Sequence, residues 1–208
     1  LHLPSGFHAK TADLIYQDQS GALNESVSDV FAMMVDTDDF TIGEDSWTPG
    51  VPGDALRYMD EPPKGGQPKH MEDFLVTDED NGGVHTNSGI PNFAAYLATA
   101  GGTGKLGDVV TGIGRGKVEG IWYRALSVYM TPSTDFVAAR LTTAQAAADL
   151  YGGGSPEVGT IEDAWTAVGV VTSGWPSDPT VNVPISTAAN NQASPRLVSD
   201  GVGGAIIT

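Results

Sequence analysis

The chain has 208 residues and no cysteine, with 26 acidic against 10 basic side chains and a formal net charge of −16. That balance argues against nucleic acid, whose phosphates need Lys and Arg partners. The missing cysteine excludes disulfides, thiolate zinc sites and thiol nucleophiles, and no apolar run approaches the ~18 residues that span a bilayer.

In chain order, helical periodicity predicts a first helix from near Ala22 to about Val35, with Leu23, Val27, Val30, Phe31 and Met34 on one apolar face. The stretch "TIGEDSWTPGVPGD" is rich in Gly and Pro and reads as an irregular loop. "NSGIPNFAAYLATAGG" reads as a helix capped by Asn87 or Ser88 and stopped by Gly101 and Gly102. "VEGIWYRALSVYM" repeats apolar residues at helical spacing and is followed by Pro132. "STDFVAARLTTAQAAADLYGGG" predicts a helix with Ser133 or Thr134 at its cap, and "SPEVGTIEDAWTAVGV" another with Pro156 in its first turn. After Val171 the composition turns to prolines and small residues, which reads as a linker. "SPRLVSDGVGGAIIT" then predicts two short strands around a D-G-x-G-G turn, the start of a β module. The fold expected from these pieces is mainly α with a short β segment.

Two constellations carry chemistry. The first is a row of like charges: at 100° per residue Glu25, Asp29 and Asp36 fall within about 40° of one another on the first helix. A solvated acidic face is the ordinary reading of such a row, yet no Lys or Arg stands at i±4 to relieve the repulsion. A bound cation would relieve it. Glu25 and Asp36 are ~16 Å apart along the axis, so two separate sites are required. Past Asp36, "TDDFTIGED" adds Asp38, Asp39, Glu44 and Asp45, and dense oxygen ligands on an irregular loop suit calcium.

The second is "TDEDNGGVHTNSG", where the turn Asn81-Gly82-Gly83 can fold the Asp80 carboxylate back toward His85. A carboxylate fixing one imidazole nitrogen leaves the other free to donate; a loop histidine satisfied by nearby backbone is the plainer alternative. An EF-hand starting at Asp78 fails, because Gly82 stands where a ligand is needed. "GGTGKLG" fails as a phosphate loop, since no Ser or Thr follows Lys105, and "GIGRGK" lacks dinucleotide spacing.

Together and in order, "DLIYQDQSGALNESVSDVF", "GEDSWTPGVPGDALRYMDEP", "DNGGVHTNSGIPNFAAYL" and "GIGRGKVEGIWYRAL" resemble the C-terminal helical lobe of thermolysin-like zinc metalloendopeptidases over roughly residues 9 to 170. N-E-x-x-S-D and D-N-G-G-V-H-x-N-S-G are its most specific motifs. The resemblance implies a secreted hydrolase that cuts peptide bonds with zinc-activated water, and a helical lobe forming one wall of an active-site cleft. It implies that Glu25 is a zinc ligand and Asp29 the carboxylate that orients a zinc-bound histidine. His85, oriented by Asp80, and Tyr16 would stabilise the oxyanion; Arg57 would bind the substrate carbonyl and Leu56 line the side-chain pocket. Asp36, Asp39 and Glu44 would hold calcium, a single ion because Thr41 stands at a family ligand position and the loop is short. Thr48 and Asp54 match a further calcium loop more weakly. The implied partners are a peptide or protein substrate and an N-terminal lobe, with no nucleic acid and no membrane span.

Counting back from Glu25, the family's H-E-x-x-H should occupy residues 1 to 5, where this chain reads "LHLPS". Pro4 would disrupt the carrying helix, and His2 and His8 cannot replace an i, i+4 pair. The expected layout is therefore 1–8 as a non-matching stretch, 9–171 as the helical domain, 172–192 as linker and 193–208 as the start of a β module. Retention of His85, Asp80, Arg57, Tyr16 and Glu25 together favours a piece of a peptidase, inactive by itself, over a calcium-stabilised binding module or pseudo-peptidase.

Overall fold

A computed structural model describes residues 11–44, 46–172, 197–199 and 205–207. The chain divides into two units, Leu1–Ser173 and Gly174–Thr208. The first is mainly α. Its helices are α1 (Asp18–Val35), α2 (Asp80–Asn87), α3 (Gly89–Ala100), α4 (Arg115–Arg124), α5 (Phe136–Tyr151) and α6 (Pro156–Ala167). Two-residue strands form two small antiparallel pairs, β1 (Thr41–Ile42) with β2 (Arg57–Tyr58) and β3 (Gly102–Thr103) with β4 (Val109–Val110). In the second unit, β5 (Leu197–Ser199) pairs antiparallel with β6 (Ala205–Ile207), Val198 opposite Ile206. The predicted linker beyond its first residue, and the turn between these strands, lie outside the described residues, as does the stretch 1–10.

The core of the first unit lies between α1, α3, α4, α5 and α6, where Leu97, Ile121, Phe136, Ile161 and Trp165 are fully buried. Each such side chain contributes roughly 2 kcal/mol by leaving water. Trp165 Nε1 donates to Thr143 Oγ1 at 2.9 Å, which satisfies the indole nitrogen between α5 and α6.

Four local expectations are corrected. α1 begins a turn before Ala22, because Gly21 is a point of close approach and not a stop: a Cβ there would meet Val84 Cγ1 of α2 at 2.5 Å. α1 also buries more than one face, since Ala22, Glu25, Ser26, Ser28 and Met33 are buried along with Leu23, Val27 and Val30. The cap of α5 is Asp135, whose carboxylate accepts from Ala138 N–H at 2.8 Å, while the Thr134 hydroxyl accepts from Thr131 N. Finally, Asp36 sits just past the end of α1 in extended backbone, so helical geometry does not place it in line with Glu25 and Asp29. Other signals hold: Ser155 and Pro156 open α6, Gly101 in left-handed φ closes α3, and α4 widens into a π-turn over Ala125–Tyr129 before Pro132.

Candidate functional site

α1 presents Glu25 and Asp29 one turn apart on the side that faces α2 and α3. Glu25 is 6 % exposed. A carboxylate this buried needs polar partners, and they come from Tyr16, nine residues earlier, and from distant His85. The Tyr16 hydroxyl donates to Glu25 Oε1 at 2.5 Å, and His85 Nε2 lies 3.7 Å from Glu25 Oε2. His85 Nε2 is also 3.1 Å from the Tyr16 oxygen. On the other side of the ring, Nδ1 is 2.6 Å from Asp80 Oδ1, while Asp80 Oδ2 accepts the backbone N–H of His85 at 2.9 Å.

The phenol has one hydrogen, and it goes to Glu25. The Tyr16 oxygen and the Asp80 carboxylate thus face opposite nitrogens of the imidazole ring. Burial first, and then the Glu25 hydrogen bond, push the Tyr16 hydroxyl above its ordinary pKa. Burial works against ionisation of Asp80, but its hydrogen bonds from His85 outweigh that and hold the carboxyl below the usual range.

The backbone that makes this possible is unusual. Asp80, Asn81, Gly82 and Gly83 carry φ values of 51°, 52°, 84° and 74°, a left-handed run that tolerates Asp, Asn and Gly. It turns the chain so that Asp80 reaches His85, which stands on the closing helical turn of α2 and not in an open loop. Gly82 has no alternative: a Cβ there would sit 2.2 Å from Asp18 Oδ1.

Asp29 Oδ2 accepts from Asn92 Nδ2 at 2.8 Å and lies 3.6 Å from Arg57 Nε. Arg57 stands on β2, its Nη1 bonded to Leu56 O at 3.0 Å, and its Nε makes no hydrogen bond among the described residues. Leu56 is exposed beside it, tied by its N–H to Ile42 O at 2.9 Å. Tyr16, Glu25, Asp80 and His85 thus form one cluster, and Asp29, Arg57 and Asn92 another one helical turn away.

Sequence reading missed three polar residues beneath the site. Buried Asn92 holds Asp29. Buried Gln67 donates to the carbonyl of His85 at 2.6 Å, and Ser88 Oγ donates to the same carbonyl at 3.1 Å. Buried Asn87 brackets Leu75 through both N–H and C=O and also donates to Gly82 O. Asn92, a polar residue inside an otherwise apolar helix, carried a hint; Gln67 stands in irregular chain, and Asn87 was read only as a possible cap.

The acidic loop is arranged differently. Asp39 Oδ1 accepts from Thr41 N and Oγ1 at 2.7 and 2.8 Å, and Thr41 Oγ1 lies 3.1 Å from Glu44 Oε2. Asp36 accepts from Asp38 N–H at 3.2 Å and is exposed. The loop's carbonyls turn toward Arg115, whose guanidinium donates to Met33 O, to Asp36 O at 3.0 Å and to Asp39 O at 2.5 Å, and lies 4.2 Å from the Phe40 ring centre. Thr41 thus joins Asp39 to Glu44 but not to Asp36; Asp45 lies outside the described residues. Among the described residues no group of three or more His, Asp or Glu is arranged to hold a metal ion. Zinc needs three protein ligands, so the described residues alone do not fit it. Nor, as arranged here, do they make a calcium cage.

The family model of the thermolysin metallopeptidase alpha-helical domain matches residues 12–170. Extracellular elastase of Staphylococcus epidermidis is 53% identical over 166 residues, covering 79% of this chain and 30% of that protein. Bacillolysin of Bacillus caldolyticus and thermolysin of Alicyclobacillus acidocaldarius subsp. acidocaldarius are each 52% identical over 165 residues, covering 77% of this chain and 30% of theirs. Among solved structures, the precursor of protealysin, a metalloproteinase from Serratia proteamaculans, matches at a TM-score of 0.66 and 37% identity, over 80% of this chain and 55% of that one. The chain spans about 30% of the length of these curated relatives.

Proposed function

The chain belongs to the thermolysin metallopeptidase family, and from that premise we propose that it is the C-terminal half of a secreted, zinc-dependent endopeptidase. The single observation that carries the reading is the Asp80–His85–Tyr16–Glu25 cluster, four side chains from three segments converging within hydrogen-bond reach.

Tyr16 O–H and His85 Nε2 lie side by side at 3.1 Å. With Glu25 engaged by a metal, the Tyr16 hydrogen would be released from it, and an oxygen approaching both groups would accept two hydrogen bonds, the arrangement that stabilises charge developing on a peptide carbonyl. Asp80 fixes the imidazole with its proton on Nδ1 and supports positive charge on the ring. Arg57, on β2, would bind the substrate carbonyl, and exposed Leu56 beside it is placed to meet a substrate side chain. Glu25 would be the helix-borne zinc ligand and Asp29 the orienter of a zinc-bound histidine supplied from outside the described residues. Zinc, when held, would polarise the carbonyl and activate water. Asp36, Asp39 and Glu44 would hold a calcium ion, as the resemblance implies, only after Asp36 turned toward the Asp39–Thr41–Glu44 group. Residues 9–171 would form that lobe, 172–192 a linker, and the β5–β6 hairpin the start of a β module. The name of the extracellular relative supports secretion, and no helix among the described residues is long and apolar enough to cross a membrane.

The test replaces the helical domain of a relative that is 52% identical, Bacillus caldolyticus thermolysin, with residues 12–170 of this chain. The chimera should hydrolyse peptides, and His85→Ala should lower kcat/KM by roughly 10²–10³-fold. A folded, zinc-loaded chimera without activity would sink the reading. It would favour the second one, a calcium-stabilised binding module or pseudo-peptidase. The 208-residue chain alone is expected to leave peptides uncut.

A further inference from the structure

The segment from Thr48 to Tyr58 carries Leu56 and leads into Arg57, and it closes on one phenol. Tyr58 is 9 % exposed, with its ring packed against Gly65, where an added Cβ would stand 3.4 Å away, and under Lys64 Nζ at 5.7 Å from the ring centre. Its hydroxyl accepts the Ala55 N–H at 2.9 Å. Its one hydrogen faces Gly53 O at 3.1 Å and Asp54 Oδ1 at 3.2 Å. The other oxygen of Asp54 accepts from Thr48 Oγ1 at 2.6 Å. Thr48, Asp54, Tyr58 and Ala55 therefore form a continuous hydrogen-bonded chain across the base of the loop. Each Asp54 oxygen thus lies beside a hydroxyl group of the loop itself, Thr48 on one side and Tyr58 on the other. Two residues in left-handed φ, Gly50 and Gly53, let the backbone make the turn.

We propose that the Tyr58 hydroxyl is the positioning group of this loop: it holds the Ala55–Leu56–Arg57 backbone in register with β1, so that Leu56 and Arg57 are presented together. Loop closure then depends on this hydroxyl and not on a bound cation. The consequence for substrate selection rests on the function proposed above; the closure itself does not.

Amide hydrogen exchange on the 208-residue chain, in chelator and in calcium, tests this directly. In the unaltered protein the Ala55 amide should be equally protected in both. Tyr58→Phe keeps the ring and removes the hydroxyl, and should speed Ala55 exchange by about tenfold, one hydrogen bond's worth. The Met59 amide, bonded to Phe40 O at 2.8 Å, should stay protected and report that the strand pair is intact. Should Met59 lose protection as well, Thr48→Val decides, since it removes the outer link without touching Tyr58: faster Ala55 exchange in chelator supports the proposal, and unchanged exchange overturns it. Protection of Ala55 that vanishes on chelation in the unaltered protein also overturns it. An inactive chimera would leave every one of these readings unchanged.

Discussion

Glu25 and Asp29 inside α1, and Asp36 and Asp39 just beyond its end, share one chemistry in opposite surroundings. The first two are shielded from water, and each has partners from a distant segment: His85 for Glu25, which also takes the nearby Tyr16, and Asn92 and Arg57 for Asp29. The second two are exposed and take their hydrogen bonds from backbone and threonine within two residues. Repulsion between like charges on a helix is therefore no guide to where the relief comes from. A buried carboxylate obtains it across the fold, because desolvation without partners is costly, while an exposed one obtains it from water and its neighbours.

That contrast can be broken by substitution. Asp29→Ala removes the acceptor of buried Asn92 and the ion-pair partner of Arg57 and should cost about 3 kcal/mol of unfolding free energy in urea. A loss as small as that of a surface change would mean the Asp29 cluster is not a structural unit. Arg115→Met removes the donor to three backbone carbonyls at the end of α1 and should cost about 2 kcal/mol, because here the loop, otherwise locally satisfied, does reach across the fold. A smaller and pH-dependent effect belongs to Asp80. Its folded-state pKa is depressed, so its bonds to His85 stabilise the fold above roughly pH 4 and that contribution is lost as pH falls through the folded value. The stability gap between the unaltered chain and Asp80→Asn should therefore close on acidification; a gap that widens would refute the assignment. Asp36→Ala in chelator should change stability by less than about 0.5 kcal/mol. In calcium, the unaltered chain should melt several degrees higher and the variant should gain less.

Much of the site was legible from short-range pattern. Asp80, three turn-forming residues and His85 lie within one hexapeptide, so local chain geometry alone suggested their hydrogen bond, and the structure has it. Tyr16 and Glu25 are close in sequence and meet. Arg57 beside Asp29 followed from no spacing rule; it came from motif resemblance. The roles of Asn92, Gln67 and Asn87 were not legible because a polar residue acquires such a role only once the fold turns it inward against a particular carbonyl or carboxylate. The α5 cap was misplaced by one or two residues because Ser133, Thr134 and Asp135 are all good caps, and tertiary contacts chose among them.

By itself the sequence determined the mainly helical class, the helix boundaries marked by Gly and Pro, and the acidic and histidine motifs, since these follow from periodicity, backbone preference and adjacent residue chemistry. Only the tertiary structure decided which carboxylates are buried, which side chains answer them, and that Arg115 and Tyr58 tie the two loops. His85 beside Glu25, Asn92 beside Asp29 and Arg115 beneath the loop bring together atoms from segments far apart in the chain, while the Tyr58 bonds, though short in sequence, depend on how the loop is folded; no local rule encodes either.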